Sequence, residues 1–104
     1  MILGKVVGTV VSTQKDEALI GIKLLIVREL DTDLKPKSNF VVAADAVGAG
    51  VGEVVLCAAG SSARLTDVTR DKPVDSVIMG IVDTLEIGGK ELYQKSLNPR
   101  GSAS

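Results

Sequence analysis

The apolar residues of this chain come in short runs rich in Val, Ile and Leu, each cut by a glycine or a polar turn. That pattern restricts the fold more than any other feature. β-Branched side chains lose rotamer freedom in a helix but fit a pleated sheet, so such runs read as strands. The first is Gly4 to Thr13 (GKVVGTVVST), where Gly4 and Gly8 lighten the backbone as at a barrel bend.

After the polar turn Gln14 to Glu17 comes the longer run Ala18 to Leu30 (ALIGIKLLIVREL). A helix has some claim on it, since Leu19, Ile22, Ile26 and Leu30 nearly follow a 3.6-residue period. Gly21, the β-branched Ile20, Ile22, Ile26 and Val27, and the lack of an N-cap favour a strand. A polar loop is expected from Asp31 to Asn39, punctuated by Pro36, then a third strand from Phe40 to Ala44. The glycine-spaced segment Val47 to Gly52 reads as a turn. Glu53 to Ala59 is nearly continuous in apolar residues, so both of its faces are expected to be covered.

Gly60 to Leu65 is expected to open one short helix with a serine as N-cap. The last core strand is expected over Val74 to Ile87, followed by a Gly88-Gly89 turn and a short terminal element from Lys90 to Leu97. Five short strands bent by glycine, with one helical turn between the fourth and fifth, indicate an all-β fold: a small five-stranded OB-like barrel. The expected organisation is one domain over residues 1–97 and a flexible C-terminal tail over residues 98–104, frayed from Arg100 onward.

At 104 residues the chain has the length of one domain, and a chain this short buries roughly 60–70% of the surface its unfolded form exposes. Yet 45% of its residues are hydrophobic. A barrel interior and subunit interfaces are the outlets for that surplus. A membrane span is not, because no stretch approaches ~18 consecutive apolar residues. No secretory signal is expected either, since Met1-Ile2-Leu3 runs directly into Gly4-Lys5. The single cysteine, Cys57, lies in an apolar run and reads as a small buried hydrophobe, consistent with a cytosolic location.

Catalytic readings find little to work with. The chain has no histidine, which removes the commonest general base and metal ligand together. A zinc site needs about four Cys or His ligands and the sequence offers one. Ser61 and Ser62 have no histidine partner. The acidic pairs Asp67/Asp71 and Asp31/Asp33 lie in loops and read as solvated carboxylates. Gly48, Gly50 and Gly52 resemble a dinucleotide fingerprint only superficially: Glu53 and a strand follow where a helix N-terminus would receive the pyrophosphate. A tight turn requiring positive φ or close backbone approach is the better reading. Catalytic residues, cofactor and metal are therefore all expected to be none. Nucleic acid is excluded as a partner on similar grounds, because 12 basic against 13 acidic residues make no basic groove. Phe40 and Tyr93 are the only aromatic residues and form no stacking platform.

Three blocks carry a family resemblance: MILGKVVGTVVSTQKDEALIGIKLLIVREL, VAADAVGAGVGEVVLCAAGSSAR and PVDSVIMGIVDTLEI. Together they resemble the EutN/CcmL family of bacterial microcompartment vertex proteins over almost all of residues 1 to 87, with GIKLL, DAVGAGVGE and GSSAR the most telling strings. The resemblance implies a β-barrel subunit (the BMC-P class) forming a homopentamer around a narrow axial pore. Such pentamers close the vertices of a cytoplasmic polyhedral shell whose facets are hexameric proteins of unrelated fold. A cyclic ring needs a heterologous interface, in which one patch fits a different patch on the next copy. The surplus aliphatic surface suits that requirement.

The resemblance also points to Gly60, Ser61, Ser62, Ala63 and Arg64 as candidates for the pore or the subunit contacts, against the plainer reading of a capped helical turn. Asp45 and Glu53 bracket the glycine turn and are candidates to receive its N–H groups or Arg64; simple solvation is the alternative. Tyr93 and Leu97 are candidates for docking the tail on a neighbour. The competing function, from a different class, is a small-ligand- or nucleotide-binding OB-like barrel acting as a monomer.

Overall fold

Strand β1, Ile2–Val10, alternates between the barrel interior and its surface, and a computed structural model describing residues 1–95 shows what it organises. On one side β1 pairs antiparallel with β2, Leu24–Leu30; on the other it pairs antiparallel with β4, Val54–Ala59. Strand β3, Pro36–Asp45, continues from β2, and β5, Ser76–Ile81, joins β4 antiparallel and β3 parallel. The ring therefore closes in the order β1-β2-β3-β5-β4. A five-stranded closed barrel is the architecture expected from the strand pattern.

Val6, Leu25, Val27, Ala43, Val55, Cys57 and Ile78 fill the interior. Small and branched side chains suit so narrow a barrel, and the backbones must approach closely. At Gly4 a Cβ would lie 3.0 Å from the carbonyl oxygen of Arg28 and run into the Val27 side chain, so only glycine fits where β1 crosses β2.

Four local expectations are revised. The run beginning at Ala18 is not strand throughout: a 3-10 turn, Glu17–Leu19, capped by the Asp16 carboxylate on Ala18 N–H at 2.9 Å, precedes β2. The loop after β2 ends at Pro36 rather than Asn39, because Pro36 pairs opposite Leu30 as the first residue of β3, a position where its missing N–H is tolerated. Gly60–Arg64 is a 3-10 turn preceded by Ala59, with no serine side chain as its cap. The segment 74–87 breaks at Val82 and Asp83, and Val82 N–H still donates to Val54 O at 2.8 Å.

Beyond that break, β6, Thr84–Ile87, turns through Gly88-Gly89 and pairs with β7, Lys90–Gln94. Both glycines have positive φ, as a two-residue hairpin turn of the right twist requires. The hairpin packs onto the barrel through a cluster of Leu30, Val54 and Tyr93, with Leu3 and Leu85 against it.

Candidate functional site

Among the described residues, no three His, Cys, Asp or Glu side chains gather as metal ligands. The polar groups that do converge hold backbone. Asp45, at the end of β3, accepts three successive N–H groups with one oxygen: Val47 at 3.1 Å, Gly48 at 3.1 Å and Ala49 at 3.2 Å. Glu53, immediately before β4, accepts Gly50 N–H at 2.6 Å. The loop between them is thus pinned from both ends by carboxylates whose side chains are 2% and 1% exposed.

Each carboxylate also meets a lysine. Lys23 Nζ lies 3.8 Å from Asp45 and donates to Ala49 O at 3.2 Å, while Lys95 Nζ lies 2.9 Å from Glu53. Buried charges of this kind are tolerated only when paired and hydrogen-bonded. Within the loop, Gly48 and Gly52 have φ of 76° and 93°, a region that L-residues avoid. Gly50 is outside the positive-φ set and contributes its N–H instead. Val47 and Val51 are left exposed on the loop.

Arg64 does not reach these carboxylates. Its Nε donates to Val74 O at 3.2 Å, tying the turn Gly60–Arg64 to the chain just before β5. Gly60 takes φ of 67° and donates its N–H to Asp75 O at 2.9 Å. Ser61 and Ser62 are exposed, and Ser62 Oγ donates to Ala59 O at 3.3 Å. Ala63 is buried, its carbonyl accepting the Thr69 hydroxyl at 2.5 Å. The segment therefore presents two hydroxyl side chains on a turn held by its own chain.

Tyr93 is a correction. It is 7% exposed and packs on Leu30 and Val54 of its own chain, so it docks the hairpin rather than a neighbour. Burial raises its hydroxyl above the ordinary tyrosine pKa. Leu97 lies outside the described residues. Cys57 points into the core, and burial pushes its thiol up to about 11, the opposite of what a reactive cysteine needs.

The outer surface carries what the interior cannot hold. Phe40 is 54% exposed and Val42 50%, both on β3, while Leu56 on β4 and Met79 on β5 are also exposed. Neither the lysine partners nor these outward strand positions were identified from sequence; alternation along β3 carried a signal for Val42 once its register was known.

Comparison with known proteins agrees with this picture. The structure of Gloeobacter violaceus CcmL superposes with a TM-score of 0.88 at 43% identity, covering 92% of this chain and 99% of that one. The GrpN pentameric microcompartment shell protein from Rhodospirillum rubrum gives 0.76 at 49% identity, covering 84% of this chain and 100% of that one. The carboxysome shell vertex protein CcmL of Synechocystis sp. is 48% identical over 95 residues, or 91% of this chain and 95% of the relative. A model of the family described as "Ethanolamine utilisation protein EutN/carboxysome" matches residues 1–83, and the chain belongs to that EutN/CcmL family.

Proposed function

We propose that this chain is a structural subunit that assembles into a homopentamer and caps the vertices of a polyhedral bacterial microcompartment in the cytoplasm. One observation carries the reading: relatives near half identity, covered almost end to end, are named shell vertex proteins, and one of them is described as pentameric. The exposed apolar positions on the outside of the barrel give such a ring its contact area. The barrel interior is filled by side chains such as Leu25, Val27 and Ile78.

The finer assignments belong to the same proposal. The subunit closes the shell without catalysing a reaction, its lateral neighbours are hexameric facet proteins, and it has no nucleic-acid partner. A flat lattice of hexamers cannot close on itself, and a pentamer supplies the missing curvature. Residues Gly60 to Arg64 sit near the axial opening or the subunit contacts. Ser61 and Ser62 are exposed on that turn and available to either.

Light scattering on the purified chain tests the assembly: a mass five times the 10.8 kDa chain is expected. A folded monomer at micromolar concentration would overturn the proposal. In cells, loss of the chain and any paralogue is expected to leave shells elongated or open, and sealed polyhedra in that strain would rule out the vertex role.

A further inference from the structure

Two pairs of like charges stand directly opposite one another in the strand ladders. On the barrel wall, Lys5 of β1 is set opposite Arg28 of β2. On the hairpin, Glu86 of β6 is set opposite Glu91 of β7. Residues so placed share one face of a sheet at close range, where two charges of the same sign repel. Among the described residues the ion pairs involve Lys23, Lys37, Arg70 and Lys95, and neither Lys5, Arg28, Glu86 nor Glu91 takes part in one.

The cationic pair lies on the outside of the barrel. Its row continues to Phe40 on β3, and the row that faces inward beside it, Val6, Val27 and Val41, packs into the core. Arg28 is held in place without being neutralised. Its Nε donates to Lys37 O at 2.8 Å, and its guanidinium lies 5.2 Å from the centre of the exposed Phe40 ring. Glu29, the neighbouring acid, is already engaged by Lys37 at 3.4 Å and by Asn39 at 3.1 Å.

The anionic pair lies on the part of the chain that stands outside the closed ring of strands. Leu85 and Tyr93 fasten the hairpin to the barrel, and Glu86 and Glu91 follow toward the Gly88-Gly89 turn, both exposed. Lys90 is opposite Ile87, one step along each strand. Successive residues of a strand point to opposite faces, so Lys90 does not stand beside the two carboxylates.

A ring of identical subunits needs two different patches that fit each other. A doubly cationic wall and a doubly anionic hairpin meet that condition, and neither can pair with its own kind across a two-fold axis. Resting on the pentamer reading above, we infer that the Glu86–Glu91 face of each hairpin seats against the Lys5–Arg28 wall of the next copy. Each repulsive pair is then offset by the other, and the opposite signs fix the orientation of the two copies. The planar fork of Arg28, already oriented, suits a carboxylate. Arg64 and Lys72 are rival cations, but the hollow they line also holds Asp16 and Asp71 and so carries both signs.

Charge reversal is the test. Lys5→Glu with Arg28→Glu, and separately Glu86→Lys with Glu91→Lys, are each expected to shift the mass from pentamer to monomer with the far-ultraviolet circular dichroism unchanged. All four changes in one chain should recover the pentamer. Mixing the two double variants should restore association without a closed pentamer, because alternating chains cannot complete an odd ring. The inference is overturned if either folded double variant stays pentameric, or if the fourfold variant folds and stays monomeric. Should a double variant fail to fold, the parent chain decides. A zero-length carbodiimide is expected to join Lys5 to Glu86 or Glu91 in the dimer band of a denaturing gel, and absence of that link from the dimer band overturns the inference. A monomeric parent removes the pentamer reading and the inference with it, whereas a pentameric parent with unaffected double variants removes the inference alone.

Discussion

Lys95 Nζ lies 2.9 Å from Oε2 of Glu53, a residue whose side chain is 1% exposed. The other oxygen of Glu53 accepts Gly50 N–H at 2.6 Å, so a single carboxylate couples the end of the β6–β7 hairpin to the glycine loop. Removing one partner from a buried charge leaves the remaining charge poorly compensated. Lys95→Ala is expected to lower stability by ~1–3 kcal/mol, toward the lower end because the lysine is itself 37% exposed. Urea unfolding of Lys95→Ala, Glu53→Gln and the double variant tests this. The double variant should lose less than the sum of the singles, and strict additivity would mean the pair is not coupled.

The three loop glycines should not behave alike. Gly48 and Gly52 have positive φ and Gly50 is outside that set, so alanine at the first two is expected to cost ~1 kcal/mol or more and at Gly50 less. Gly4→Ala should be worse than any of them, because its Cβ meets the Arg28 carbonyl and the Val27 side chain inside the barrel wall. Thermal melts of the four variants give the order directly. Equal melting points for Gly4→Ala and the parent would show that β1 and β2 can move apart.

Alkaline conditions should destabilise the fold. Burial raises Cys57 from its ordinary value near 9 to about 11 and raises Tyr93 as well. Between those two values the unfolded thiol ionises and the folded one does not, so the unfolded state binds fewer protons and stability falls as pH rises. The contribution of Cys57 is complete below pH 9 and lost by about pH 11. Replacing Cys57 with alanine and Tyr93 with phenylalanine should flatten the pH dependence of the unfolding midpoint over that window. An unchanged slope would place the alkaline sensitivity elsewhere.

Arg64→Ala removes one hydrogen bond, from Nε to Val74 O at 3.2 Å, at a partly exposed site. A loss of ~1 kcal/mol is expected, with the assembly mass unchanged. A variant that folds but no longer forms the ring would make Arg64 a contact residue, and the placement of the Gly60 to Arg64 turn near the axial opening would lose its support.

From the sequence alone, the β-branched runs broken by glycine were sufficient for a small five-stranded barrel, because strand preference and the need for close backbone approach are local properties. The strings GIKLL, DAVGAGVGE and GSSAR were sufficient for the family. Even the role of Asp45 was partly legible, since a carboxylate just before a glycine turn sits where free N–H groups accumulate. Tertiary structure decided what depends on residues far apart in the chain. Pro36 and Lys37 read as loop, yet they begin β3 because β2 lies beside them with Leu30 opposite Pro36. The segment 74–87 read as one strand, yet it divides because Leu30 and Val54 of the barrel offer the hairpin's Tyr93 an apolar seat. The lysines that meet Asp45 and Glu53, and the outward positions of Val42 and Met79, follow from register and closure. A shift of one residue in register turns every side chain to the other face, and closing the ring of strands is what selects one register over the next.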